Sequence, residues 1–406
     1  MSTESPVQTE APSSRRVLTI AGGHFVHDVY SSFLAPFLPL IIARSSISMT
    51  LAGLLTVFFR SSSLINPFLG ILADRRDLRI VFAGAPAVTA VLMSSLGLAT
   101  SYPILCLMLL VAGVSASMYH VLGPVFVARF SGDRIGRGMS VWMVAGELGR
   151  TVGPMVAAGA VSILGFEGVW GIAIFGILAS VLLYRQIRDV SPVVQEHDHK
   201  VSVAATWKEL RFVMLPMAGL LAARGFLTGT LAGFLPTYMV MGKGHSLLMG
   251  GMALALFELV GTAGSFAGGS ISDHIGRKKV LYVGMVLGPA SLLMFVHASG
   301  WMVIPCLVSI GIFVFACSPV LLAIVQDHAG KNRGAANGLY MGLNFGITSL
   351  ILLLVGWGVD RFGFAATLSG CAVISLLSLP CIRALPERRE NGDGSNGDGR
   401  QETGDR

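Results

Sequence analysis

His24, His27 and Asp28 fall within the stretch GGHFVHDVYSSF (residues 22–33). Spacings of three and four residues put an imidazole and a carboxylate on one face of a helix. Imidazole titrates near neutral pH, so beside a carboxylate it suits proton transfer. The same donor set also suits a divalent metal ion such as Zn, Fe or Ni. The surrounding run, residues 17–42, is otherwise apolar and long enough to cross a bilayer. An ionisable side chain at a bilayer centre costs roughly 2.5–3.5 kcal/mol on insertion scales, so these groups are expected to face a cavity or a partner. Arg60, His120, Glu147, Arg150, Arg224 and Glu258 raise the same question within other apolar runs, Glu147 and Arg150 sharing one.

The chain that must position them has 406 residues, 53% hydrophobic and 13% charged, with a mean hydropathy of +0.72. This composition excludes a water-soluble domain and indicates a polytopic membrane protein. Because a crossing helix needs roughly 20 apolar residues, the sequence predicts an all-α fold with twelve transmembrane helices. They are expected near 17–42, 49–73, 80–100, 103–128, 139–164, 168–187, 212–241, 246–271, 279–299, 302–326, 335–358 and 363–383. The polar first residues lack a short apolar region with a cleavage site, so the first span is expected to remain. Cys106, Cys306, Cys317, Cys371 and Cys381 lie in apolar segments without metal-type spacing and are expected to be buried thiols.

Arg and Lys favour cytoplasmic loops. With both termini and every even-numbered loop on that side, the opposite side keeps only Arg44, Lys243 and Arg361, and Arg60, Arg150 and Arg224 lie inside spans. Both termini are therefore expected in the cytoplasm of a multi-pass cell membrane protein. The isoelectric point near 9.4 follows from this topology, and no nucleic-acid partner is implied.

The segment 189–211 divides the spans six and six, into bundles over 17–188 and 212–384, flanked by cytoplasmic tails at 1–16 and 385–406. The second tail, rich in Gly and charge, is expected to be disordered. The bundles repeat one another. LAPFLP at 34–39 recurs as LAGFLP at 231–236, GILADRR at 70–76 as GSISDHI at 269–275, and Arg137-Gly138 as Arg333-Gly334. The offsets are 197, 199 and 196 residues. Parallel repeats place a substrate site between the halves near the midplane, where rocking exposes it to alternate faces. A carrier of small molecules is the consequence.

GILADRRDLR after the second span and GSISDHIGRKK after the eighth resemble the loop signature of the major facilitator superfamily, and the resemblance covers essentially the whole chain. The second copy has Gly269, Asp273, Gly276, Arg277 and Lys278; the first keeps Gly70, Leu72, Asp74 and Arg75 but has Asp77 in place of glycine and Leu78 in place of a basic residue. Such loops are expected to act as gating latches, glycine allowing close helix approach and the carboxylate meeting a helix N-terminus or an arginine. In the fifth span, Gly149-x-x-x-Gly153-Pro154 resembles the antiporter signature, with Ser140 and Ala157-Ala158 replacing its outer glycines. HFVHDVYSSFLAPFLP and GRGMSVWMVAGELGRTVGP resemble the fosmidomycin-resistance-type branch, although Tyr119-His120 is followed by Val121-Leu122 where that branch has Pro-Glu. The branch implies proton-coupled efflux of small organic molecules, some of them anionic.

The superfamily lines its cavity with the first, fourth, seventh and tenth helices. That implies a shared space for His24, His27, Asp28, His120 and Arg224. Asp28 lies about 18 Å along its helix from Arg16, slightly past the midplane, and the repeat superposes His27 on Arg224. Asp28 is expected to carry the proton, with the histidines titrating beside it and Arg224 anchoring an anion or polar head. Glu147 and Arg150 are three apart, a local-pair spacing. Arg150 and Glu258 lie at similar depth, about 20 and 22 Å from Arg137 and Asp273, which also permits an interdomain bridge with Glu147 as a second proton site. Arg60, at comparable depth, has no partner that the sequence assigns.

The expected function is proton-coupled antiport exporting a small organic compound, with protons and membrane lipid as further partners, no cofactor and a monomer sufficing. Alternatives are proton-coupled uptake of an organic anion, divalent metal transport through His24, His27, Asp28 and His120, and a non-transporting scaffold. Against metal transport, Arg224 would repel a cation. Against an enzyme, no catalytic constellation accompanies GVSAS at 113–117.

Overall fold

Hydrocarbon offers no water to backbone polar groups, so a chain this apolar must satisfy them within each segment, as a helix does. The computed structural model describes residues 12–66, 68, 69, 72, 76–189, 203–329 and 333–386, with only the backbone at 203–205 and 333–335. The described residues form helices and turns, with no strands. Gly70, Asp74 and Arg75 of the first latch, His197 and His199 of the central loop, and the tail from 387 lie outside the described residues.

In chain order the helices are α1 Ser14–Ser31, α2 Leu34–Ser45, α3 Met49–Ser61, α4 Arg79–Ser94, α5 Tyr102–Ser131, α6 Ile135–Gly168 and α7 Ala173–Ile187. There follow α8 Val203–Arg224, α9 Thr230–Thr237, α10 Leu247–Ile275, α11 Arg277–His297, α12 Val303–His328, α13 Arg333–Leu376 and α14 Leu379–Ala384. Among the described residues, seven stretches are long and apolar enough to cross a membrane, and Met49–Ile65 and Arg79–Ser94 are shorter apolar helices. Large apolar side chains point outward, Ile163 at 83% and Phe266 at 82% exposure, as suits a surface solvated by lipid tails.

Local chemistry explains the reversals. Ser48 and Ser246 accept hydrogen bonds from the amides of Leu51 and Met249, capping α3 and α10. Gly165 (φ 71°) and Gly363 (φ 78°) break α6 and α13 in a conformation other residues resist. Ser46 and Gly244 also share positive φ. All three pairs stand 198 residues apart, extending the repeat beyond its three sequence matches.

Three boundaries differ from expectation. α8 begins at Val203, so residues 203–211 of the expected central loop are helical. Leu210, Met214, Met217 and Leu221 form a buried stripe at helical spacing. α1 begins at Ser14, and Leu385, 2% exposed, packs into the core ahead of the tail. Asp77, where the loop signature has glycine, accepts from the amide of Arg79 at 3.2 Å and pairs with its guanidinium at 2.6 Å. That guanidinium holds the Asp77 carboxyl below the usual carboxylate range. Aspartate here closes a local turn onto Arg79 at the start of α4.

The halves meet unevenly. On the face opposite the termini, one apolar core takes Phe37, Leu38 and Leu55 from the first half together with Phe234, Leu352 and Val355 from the second. A Cβ at Gly53 would stand 2.8 Å from the Leu352 carbonyl oxygen, so α3 and α13 touch backbone to backbone. On the terminus side the cores are separate, one within residues 17–187 and the other within 210–385. Among the described residues the halves share an apolar core at the far face and none at the terminus face.

Asp360 fastens the far face. Its carboxylate accepts from the amides of Met49 (2.8 Å) and Thr50 (2.9 Å) and from the Thr50 hydroxyl (2.6 Å). A carboxylate from the second half thereby caps a helix of the first. An N-cap contributes about 0.5–2 kcal/mol, so Asp360→Ala is expected to raise the population open at the far face by about 2- to 30-fold. Spin-label distances between the far ends of α3 and α13 measure this, and an unshifted distribution contradicts it.

Candidate functional site

His24, His27 and Asp28 are 4%, 0% and 1% exposed, an unusual depth for three polar groups on one helix. The groove that admits them is a row of small residues on α6. A Cβ at Gly149 would stand 2.5 Å from the Phe25 carbonyl oxygen and 3.0 Å from Asp28 Cβ. One at Gly146 would meet the His24 ring, and one at Gly153 the Ser32 hydroxyl. Within this half, α6 is thus the seat of α1. Gly149→Val is expected to destabilise the protein by about 1–3 kcal/mol, the usual cost of overpacking. It should lower the melting temperature in detergent, and a variant melting like the parent would contradict this seating.

Two imidazoles bracket Asp28. His24 Nε2 lies 3.4 Å from one carboxylate oxygen and His120 Nε2 3.4 Å from the other. Charge-assisted hydrogen bonds between such groups close to about 2.7–2.9 Å, so neither gap is closed. The opposite nitrogen of His24, Nδ1, lies 2.8 Å from the Trp142 carbonyl oxygen. That oxygen can only accept, so Nδ1 carries hydrogen, and in the neutral ring Nε2 presents a lone pair to the carboxylate. His24 Nε2 and both Asp28 oxygens lack a hydrogen-bond partner among the described residues. The cluster is built to surround a positive charge.

Aromatic packing fixes the rings. Trp142 stacks on His24 with centroids 3.7 Å apart. Tyr119 lies between Phe82 (4.8 Å) and His27 (4.6 Å), and its hydroxyl donates to the Ile20 carbonyl at 3.2 Å. His27 packs edge-on against His120 at 5.5 Å, behind it rather than on an open wall. The His120 side chain is 41% exposed, so the cluster opens to solvent through that ring.

A second polar group lies across the meeting of the halves. Glu147 and Arg150 form a close ion pair within α6. The Thr262 hydroxyl of α10 donates to the Glu147 carboxylate (3.3 Å) or to the Glu258 carbonyl (3.0 Å). Arg60, Arg150 and Glu258 line one cavity of about 170 Å³ with Ser31, Ser32 and Gly233. Arg60, without an assigned partner in sequence, thus joins the other two charges. Arg224, at the end of α8 before the wide turn Gly225–Gly229, donates to the Ser318 hydroxyl (2.9 Å) and to Asn344 Oδ1 (3.3 Å).

In the second latch, Gly276 (φ 96°) turns the chain from α10 into α11. Arg277 pairs with Asp327 at 3.0 and 3.2 Å, and a Cβ at Gly269 would stand 3.6 Å from the Pro319 ring, an ordinary contact. Asp273 is exposed, and Lys278 lines the same shallow pocket. Sequence reasoning missed Trp142, Ser318, Asn344, Thr262 and Asp360. Asn344 carried a signal, being an amide within an apolar run; Trp142 contributes its backbone carbonyl and carried none.

The sequence profile of the Major Facilitator Superfamily matches residues 20–350 and 251–403. The fosmidomycin resistance protein of Escherichia coli (strain K12) is 25% identical over 391 residues, spanning 94% of this chain and 95% of that protein. An uncharacterized MFS-type transporter, YfnC of Bacillus subtilis (strain 168), is 22% identical over 388 residues, spanning 93% and 94%. Among solved structures, a bacterial homolog of the human lysosomal transporter Spinster, inward-facing and unoccupied, superposes with a TM-score of 0.76 at 13% identity, covering 92% of this chain and 97% of that one. The nucleoside transporter NupG superposes at 0.75 with 12% identity, covering 92% and 99%.

Proposed function

The chain belongs to the Major Facilitator Superfamily, and from that premise we propose that it exports a small organic compound in exchange for protons by alternating access. It is a multi-pass membrane transporter and not an enzyme, as its relatives and structural neighbours are transporters. The observation that carries proton coupling is the Asp28 bracket, with its lone pairs turned inward and His120 open to solvent. A proton entering at His120 neutralises the bracket, and its departure leaves a carboxylate that must be balanced elsewhere.

Arg150 and Arg224 supply that balance. Arg224, held by Ser318 and Asn344, has guanidinium hydrogens to spare for a substrate anion. Arg150 can exchange Glu147 for Glu258 as the halves rock, which leaves Glu147 as a second proton site. Asp273 and Lys278 act with Arg277 as the latch that closes the terminus face, and Asp74 with Arg75 as its weaker counterpart.

Counting Tyr102–Ile187 as three crossings, divided near Gly132 and Gly165, and Ala336–Ala384 as two, divided at Gly363, brings the seven stretches and two shorter helices to twelve. They form two six-helix bundles whose helices run from Ser14 to Ile187 and from Val203 to Ala384. The Arg and Lys distribution puts both termini in the cytoplasm of a cell membrane, so the described state faces inward. Polar groups gathered within the bundles let a lipid-embedded monomer work.

The relative named for fosmidomycin resistance supplies the first compound to test. Expressed in a drug-sensitised host, the protein is expected to raise the growth-inhibitory concentration of fosmidomycin or of another compound in a panel of small organic anions and drugs. An uncoupler should remove the protection. Greater sensitivity on expression would reverse the direction to uptake, and no response across the panel would remove the support for export.

A further inference from the structure

We propose that His24, Asp28 and His120 form a binding site for a divalent transition-metal ion of the zinc type, one that plugs the proton bracket rather than carrying metal across the membrane. The three offer one ligand atom each, all within 4.8 Å of one another. The site uses the carboxylate of the proposed function but does not depend on transport.

The separations favour a metal. Zinc binds imidazole nitrogen at about 2.0–2.1 Å and carboxylate oxygen at about 2.0–2.2 Å, and two ligands at those lengths and a tetrahedral angle stand about 3.3–3.5 Å apart. His24 Nε2 and His120 Nε2 each lie 3.4 Å from an Asp28 oxygen. These gaps are wider than the hydrogen bonds expected there, and each matches a tetrahedral edge to its own Asp28 oxygen; the three ligand atoms, all within 4.8 Å of one another, need only draw together to close around an ion.

Ligand orientation is already set. A metal-bound imidazole characteristically donates its other ring hydrogen to a carbonyl or carboxylate, which fixes the tautomer. His24 has that arrangement, Nδ1 to the Trp142 carbonyl at 2.8 Å, with Trp142 also stacked on the ring at 3.7 Å. The Asp28 oxygens, on a residue 1% exposed, have no hydrogen-bond partner among the described residues. His120, 41% exposed, provides the entry and leaves the fourth position to water.

The cationic neighbours permit this. Arg224, which in sequence argued against a cation, is held by Ser318 and Asn344 in the other half. Arg150 is engaged by its close pair with Glu147 on α6. His27 lies behind His120 and contributes no ligand atom to the cluster.

Because the ion occupies the carboxylate that takes the proton, a filled site blocks exchange. The test uses the purified full-length chain with its affinity tag removed and Co²⁺ as a visible probe. One equivalent is expected to give saturable tetrahedral absorption that Zn²⁺ displaces. His120→Ala, at an exposed position, should weaken binding by at least about tenfold, which is what even an outer-sphere change costs a metal site. Asp28→Asn should abolish it. His27→Ala and the double change His197→Ala with His199→Ala should leave it unaltered. Absent absorption, or absorption lost with His197 and His199 but retained without His120, overturns the metal site. Neither result touches the proton reading, which is measured by solute flux.

Discussion

Asp28→Asn is expected to reduce pH-gradient-driven accumulation of the exported compound to the level of empty vesicles while leaving solute-for-solute exchange in place. Asparagine matches the shape of aspartate but cannot ionise, so one step is removed and the fold is kept. Its amide can donate to the lone pair that His24 Nε2 presents, filling the gap of 3.4 Å. The variant should therefore melt at or above the temperature of the parent, which separates loss of coupling from loss of structure. Accumulation equal to the parent would remove Asp28 from the proton path.

Arg224→Ala should raise the half-saturating concentration of an anionic substrate by about 10–100-fold, the loss of a charged hydrogen bond worth about 1.5–3 kcal/mol. Arg224→Lys should recover only part of this. Lysine keeps the charge, but it cannot reach Ser318 and Asn344 with one plane of donors while offering a fork to the substrate. Concentration dependence of transport measures both variants. An unchanged half-saturating concentration for Arg224→Ala would mean that the substrate binds elsewhere, and Arg60 would become the next cation to test.

Features with a period were legible in sequence. His24 and Asp28 declared themselves because residues four apart on a helix adjoin, and their cost inside an apolar run demands a partner. The repeat was legible through LAPFLP and LAGFLP, and the structure adds the Ser48 and Ser246 caps and the Gly165 and Gly363 breaks at a common offset. Ser46 stands where its counterpart is Gly244, so composition concealed that pair although both adopt positive φ.

Contacts across the fold were not legible. Arg224 meets Ser318 and Asn344 only because three helices converge, and no spacing along the chain reports convergence. Asp360 reaches Met49 and Thr50 from the other half, and its counterpart by the repeat offset is Ser162, so internal symmetry could not reveal it. His27 shows the limit of helical-face reasoning. It shares a sector with His24 and Asp28, yet Tyr119 and His120 cover it. The Gly149 and Gly153 spacing was visible as a signature, but only the structure adds Gly146 to the row and identifies its occupant as the helix carrying His24 and Asp28.

Exchange of solute for protons is the central claim, and the most direct measurement is internal pH in sealed proteoliposomes. With a pH-sensitive dye inside and no imposed gradient, external addition of the compound that the growth screen identifies should raise the internal pH as solute enters and protons leave. The rise should be absent with Asp28→Asn. Solute entry that leaves the dye unchanged, and that an imposed pH gradient neither speeds nor slows, would contradict the account.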